Sequence, residues 1–146
     1  MTASSRNTET IEEKKRMPDQ ALAAAVIYAK DVARVGAFYA RVAGLALTHT
    51  EADHASLESP ALQLFIVAMN SAVAAKVEIA QPPVVRENTA LKFIFPVASL
   101  AAARAFAAEG GGALKPVQAE WAFNGWRHCD GHDPEGNVFQ LRERAA

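Results

Sequence analysis

The chain has 146 residues, 51% of them hydrophobic and 21% charged, with a formal net charge of -1. That length and composition suit one compact domain with a real core. The balanced charge, with no basic block, argues against nucleic acid as a partner. No apolar run reaches the roughly 18 residues of a membrane span, and the polar start lacks the apolar segment of a signal peptide. A cytoplasmic protein without membrane contact is expected, and the single cysteine, Cys129, excludes an intrachain disulfide.

Residues 1–20 read as a disordered or weakly helical tail, with Thr10 and Glu13 at capping-box spacing ahead of Pro18. Residues 21–146 read as a single domain. An apolar strand is predicted over Ala23–Ala29, and Asp31 then caps a helix. Val32, Val35, Phe38, Tyr39 and Val42 recur there at helical spacing, and Gly44 closes it. "LALTHTE", "HASLES" and "ALQLFIVAM" follow as three strands. "NSAVAAKVEIAQPPVVREN", with Pro82 and Pro83, reads as a connector. The order then starts again. "TALKFIFPV" is a predicted strand, and "SLAAARAFAAEGGG" is a helix capped by Ser99 and stopped at Gly110–Gly112. "WAFNGWRHCD" and "NVFQLRER" are two strands of a final hairpin. Strand, helix, strands thus occurs twice.

Alternation along a strand assigns faces. Phe139 and Leu141 suit the underside of a helix, so Val138, Gln140 and Arg142 face away from it. Leu91, Phe93, Phe95 and Val97 form one predicted face, and Lys92 and Ile94 the other. Leu64 and Ile66 oppose Gln63, Phe65 and Val67. Asp133-Pro134-Glu135-Gly136 suits a type I turn followed by a glycine bulge. That turn pairs Asp130 with Gln140 and His128 with Arg142, and puts His128, Asp130 and His132 beside Gln140. A slip of one residue would present Arg127 and Cys129 instead. His49 and His54 fall in early strands or their turn and read as solvated. His128 and His132 lie about 13 Å apart on a strand, too far to share an ion. Trp121, Phe123 and Trp126 suit either stacking on a ligand or packing at a rim.

"IYAKDVARVGAFYARVAGL" resembles the first strand and helix of the vicinal oxygen chelate superfamily, and "DGHDPEGNVFQLRE" resembles its last hairpin. That superfamily holds glyoxalases, bleomycin-resistance proteins and extradiol dioxygenases. The resemblance spans about residues 22–144. It implies an α+β fold of two βαβββ modules, about 22–69 and 89–144, whose curved mixed sheets form a cup. It also implies a homodimer, since small relatives commonly pair to complete their cups. Aligning the first strand on Asp31 puts Ala24, Val26 and Tyr28 on the cup side.

Metal-binding members take ligands from the first and last strands of each module. The matching positions here are Ala24, Gln63, Lys92 and Gln140. Alanine has no donor, the lysine ammonium has no lone pair, and catalytic zinc usually has three His or carboxylate ligands. The expectation is therefore no metal and no cofactor, with a small organic molecule held by Tyr28, Gln63, Phe65, Lys92, Ile94, Val138, Gln140 and Arg142. The alternative is a lyase, isomerase or dioxygenase, metal-dependent or metal-free. In its metal-free form Lys92 would stabilise an enolate or bind a carboxylate, with His128 or Asp130 as base.

Overall fold

Small and branched residues from Ala23 to Ala29 make strand β1, and the chain turns at Asp31 into helix α1 (Val32–Val42). The Asp31 carboxylate accepts the Arg34 N–H at 3.1 Å, which satisfies one of the donors a helix start leaves unpaired. Just past the helix Gly44 sits at φ 68°, a left-handed conformation that a Cβ would strain. Strands β2 (Ala46–Thr50), β3 (His54–Glu58) and β4 (Leu62–Ala68) follow. β4 returns parallel to β1, so the sheet order is β1-β4-β3-β2. The computed structural model describes residues 22–146, and the expected tail lies outside them.

The connector carries a short helix, α2 (Ser71–Ala74), that the sequence did not predict. Then come β5 (Ile94–Pro96), helix α3 (Leu100–Glu109) capped by Ser99, and β6 (Ala113–Leu114). The chain ends with β7 (Trp121–Phe123), β8 (Trp126–His132) and β9 (Val138–Arg144). The second sheet runs β5-β9-β8-β6, with β7 added on β8. Its first strand lies parallel to its last, as in the first sheet. The two halves therefore share one topology despite faint sequence likeness, and the α+β fold of two βαβββ modules is present.

Two predicted strands need correction. The strand expected over residues 89–97 is ordered as a ladder only at Ile94–Pro96. The ladder with β9 starts at Ile94 and Gln140, although β9 itself already begins at Val138, so residues before Ile94 leave the sheet ahead of its last strand's start. Leu91 is 73% exposed and Phe93 40%, where burial beside Phe95 was expected. The predicted strand at 121–130 breaks in two at Asn124-Gly125. Their φ values of 53° and 82° are those of a two-residue type I′ hairpin.

The sheets turn one face toward the helices. Val35, Phe38, Tyr39, Leu57, Leu64, Ile66, Phe95, Phe139 and Leu141 belong to one buried cluster that spans both halves. The rings of Phe38 and Tyr39 meet Phe139 at 5.8 and 5.7 Å between centroids. Each such side chain contributes about 1.5–3 kcal/mol by leaving water. Burial alternates along the strands: Ala24, Val26 and Tyr28 are exposed, whereas Ala25 and Ala29 are buried.

Candidate functional site

The last hairpin sets the site. Asp133 N–H donates to Asn137 O at 2.9 Å and Gly136 N–H to Asp133 O at 3.0 Å, which closes the predicted turn. The register that follows pairs Asp130 with Gln140 and His128 with Arg142. The one-residue slip is therefore absent. Cys129 points to the helix side and is fully buried, and its burial pushes the thiol pKa up. That disposition suits packing.

The turn also holds the two halves together, a role its local sequence pattern did not reveal. The buried Glu135 carboxylate accepts the Lys30 and Asp31 backbone N–H groups at 2.7 Å each, at the start of α1. Tyr39 donates its hydroxyl to Asp133 at 2.8 Å. Burial raises the pKa of Tyr39 well above that of an ordinary phenol, and the neighbouring carboxylate adds to the shift. Burial likewise raises Asp133, although hydrogen bonds from Asn137 and Tyr39 oppose it.

Beyond the turn, four side chains form a chain of contacts on the helix-free face of the second sheet. Lys92 Nζ lies 3.2 Å from Asp130 Oδ1. Gln140 Nε2 donates to the same oxygen at 3.0 Å, and Gln140 Oε1 lies 3.1 Å from His128 Nδ1. With its amide nitrogen committed to Asp130, Gln140 presents an acceptor to His128, so that Nδ1 carries the proton. Trp121 stacks on the His128 ring at 5.4 Å and 13°, and His128 is only 5% exposed. Arg142 and Arg144 lie over the Trp126 ring, at 4.2 and 4.1 Å. These aromatic side chains pack against the site's own cations and imidazole.

Two clefts open on either side of Val138. One, of about 480 Å³, is lined by Val85, Glu87, Lys92, Leu114, Lys115, Asp130, His132 and Val138 among others. The other, of about 410 Å³, lies between β1 and β9 and is lined by Val26, Tyr28, Arg86, Leu91, Phe93 and Val138 among others. The first is the more polar. Its two lysines meet two carboxylates, Lys92 with Asp130 and Lys115 with Glu87, the latter pair at 3.5 Å. Val85, Glu87 and Lys115 were missed at the level of sequence because they sit in irregular segments, where no alternation assigns a face.

The structure thus brings Lys92, His128, Asp130 and Gln140 into one array, with Val138 beside it. Tyr28 faces the second cleft. Arg142 lies next in register, opposite His128. Ile94 lies opposite Gln140 and is exposed. Gln63 and Phe65 stand on the first sheet and line neither cleft. Gln63 Nε2 instead donates to Glu58 at 3.0 Å.

The residues at the metal positions of the resembled superfamily do not fit an ion. Ala24, which offers nothing, pairs with Gln63. In the second sheet the residue opposite Gln140 is Ile94, because Lys92 lies two residues before β5. Both polar ends of the Gln140 amide already have partners. No step through a metal follows from these four positions.

The model of the glyoxalase-like domain family matches residues 24–142. The chain is similar to a glyoxalase/bleomycin resistance protein/dioxygenase family enzyme from Burkholderia phytofirmans PsJN. The TM-score is 0.61 at 18% identity, covering 84% of this chain and 98% of that one. It is also similar to a glyoxalase/bleomycin resistance protein from Albidiferax ferrireducens T118, with TM-score 0.59, 17% identity, and 85% and 98% coverage. A third similar structure is the bleomycin-binding protein of Streptomyces verticillus complexed with copper(II)-bleomycin. Its TM-score is 0.52 at 19% identity, covering 86% of this chain and 96% of that one. At these identities the likeness is one of fold. No curated protein sequence matches the chain.

Proposed function

The chain belongs to the glyoxalase-like domain family, and from that premise we propose that it binds a small organic molecule on its second sheet, without a metal at the family positions. The observation that carries this reading is the cleft of about 480 Å³ whose wall holds the Lys92–Asp130 pair. Apolar walls with a few convergent polar groups are the usual form of a small-molecule pocket. Val85, Leu114 and Val138 supply the first, and Lys92, Asp130 and His132 the second. Gln140 acts from beneath, as a neutral group that orients Asp130.

The enzymatic alternative uses Lys92, His128 and Asp130. A base must reach the proton it removes. Asp130 lines the cleft, whereas His128 lies under Trp121. That difference supports binding over His128-mediated catalysis. A homodimer forms part of the same proposal, because Tyr28, Leu91 and Phe93 present apolar surface next to the second cleft.

The test is native mass spectrometry, with elemental analysis, of untagged protein purified without chelator. An organic adduct, lost when Val138→Trp fills the cleft, is the expected result. Stoichiometric metal lost with Gln140→Ala would overturn the reading and return the protein to the metal-dependent class.

A further inference from the structure

The β2–β3 hairpin carries a group of side chains that the proposed ligand site does not use. His49, Glu51 and His54 each offer one donor atom, and these atoms all lie within 4.8 Å of one another. The His49 and His54 rings stand 5.3 Å apart at 32°. The sequence read both histidines as solvated, because no local spacing joins them. Strand register does so.

Their shared face depends on a bulge. Leu47 pairs with Leu57, yet His49 pairs with Ser56, so Thr48 is an extra residue in β2. Without it His49 would lie opposite Ala55, whose side chain is buried on the helix side. The bulge re-aims His49 to the opposite face, the use such insertions commonly have. His54 lies on that face by its pairing with Val67, and the Glu51 N–H donates to His54 O at 2.8 Å across the turn. Both arms of one tight hairpin therefore present donors to a common point.

The hydrogen bonds around the group also suit an ion. His54 Nδ1 lies 2.8 Å from the Asp53 carboxylate, which leaves Nε2 as the outward donor. A carboxylate, backbone carbonyl or water behind a ligating histidine fixes the ring and its tautomer in most metal sites, and Asp53 is a group of the first kind. His49 Nε2 lies 3.1 Å from Glu51 Oε1. An ion bound between them would take the place of that contact.

We propose that His49, Glu51 and His54 form a binding site for a divalent transition-metal ion, positioned by Asp53 and separate from the cleft of the second sheet. Two imidazoles and one carboxylate favour zinc, nickel, cobalt or copper over magnesium and calcium, which prefer all-oxygen shells. A tetrahedral ion with bonds of about 2.1 Å holds its ligands roughly 3.4 Å apart. Closure by about an ångström thus suffices, which the side chains, exposed or half-exposed, can supply by rotating. Three protein ligands leave one position for water or for a donor atom of a small molecule.

The test is calorimetric titration of the untagged full chain with zinc and with nickel at neutral pH. One equivalent is expected, bound at micromolar affinity or tighter. His49→Ala and His54→Ala should each abolish measurable binding, and Asp53→Asn should weaken it by about 10–100-fold. Thermal unfolding without metal shows whether each variant is folded; all four side chains lie at the surface hairpin, so little change is expected. Cobalt absorption supplies a second readout, with tetrahedral bands that vanish in the histidine variants. Absence of binding tighter than millimolar, or binding that both histidine variants retain, would overturn the proposal. An ion lost with Gln140→Ala instead would belong to the second sheet, so the two assignments fail separately.

Discussion

Tyr39 carries more than its ring. Its hydroxyl is fully buried and donates to Asp133, which also accepts the Glu135 and Asn137 N–H groups. Tyr39→Phe keeps the packing but removes one charge-assisted hydrogen bond, and should cost about 1.5–3 kcal/mol. Chemical denaturation measures this, with an unchanged slope. The phenol also sets a pH dependence. Its folded pKa lies above the unfolded value near 10, so the folded state holds the proton more tightly. Its contribution is present below about pH 10 and is lost as pH rises through the folded value. Stability should fall in that alkaline window, and Tyr39→Phe should flatten the fall. An identical alkaline profile in the variant would count against this account. At this scale the sequence was readable only in part. Gln140 was correctly placed on the helix-free face, and its partners Asp130 and His128 followed from the turn. The bonds from Asp133 to Tyr39 and from Glu135 to Lys30 cross about a hundred residues, and no local pattern signals them.

Elements were legible where local chemistry decides them. Asp31 and Ser99 marked both helix starts, and both accept an N–H three residues on. The Asn-Gly pair at 124–125 was equally readable as a hairpin turn, and reading through it merged two strands. Gly125 at φ 82° tests that turn. Nothing lies near the Cβ it would gain, so Gly125→Ala isolates backbone strain, which should cost about 1–2 kcal/mol. A melting temperature equal to the parent's would show that the turn adapts. Glu135→Ala probes the tie between halves. It strips a buried acceptor from the Lys30 and Asp31 N–H groups and should cost about 1–3 kcal/mol for each donor left unpaired. The shortening of β5 was not legible, because it depends on pairing with the distant β9. The Thr48 bulge has the same origin: pairing with β3 decides which way His49 points, and alternation within β2 alone predicts the opposite face.

At the scale of the whole molecule, exposed apolar surface remains after the core is accounted for. Val26, Tyr28, Leu91 and Phe93 are 50%, 62%, 73% and 40% exposed, and all four line the cleft between β1 and β9. Single exposed apolar residues are ordinary, but a contiguous group marks an interaction site. The same strand edges explain why the group is there. β1 and β5 are the outer strands of their sheets, and neither pairs with the other. The apolar side chains of this seam thus lack a covering layer within the described residues. In the proposed homodimer a second copy of the chain would supply one by symmetry, since the same patch would then face itself. Light scattering on the 15.6 kDa chain should give twice that mass at micromolar concentration. Val26→Glu and Phe93→Glu place charge on exposed positions, so they should leave folding intact and halve the mass. A monomeric parent would end the dimer proposal. A dimer that both charge variants preserve would move the interface away from the seam, and with it the expectation that pairing covers the clefts.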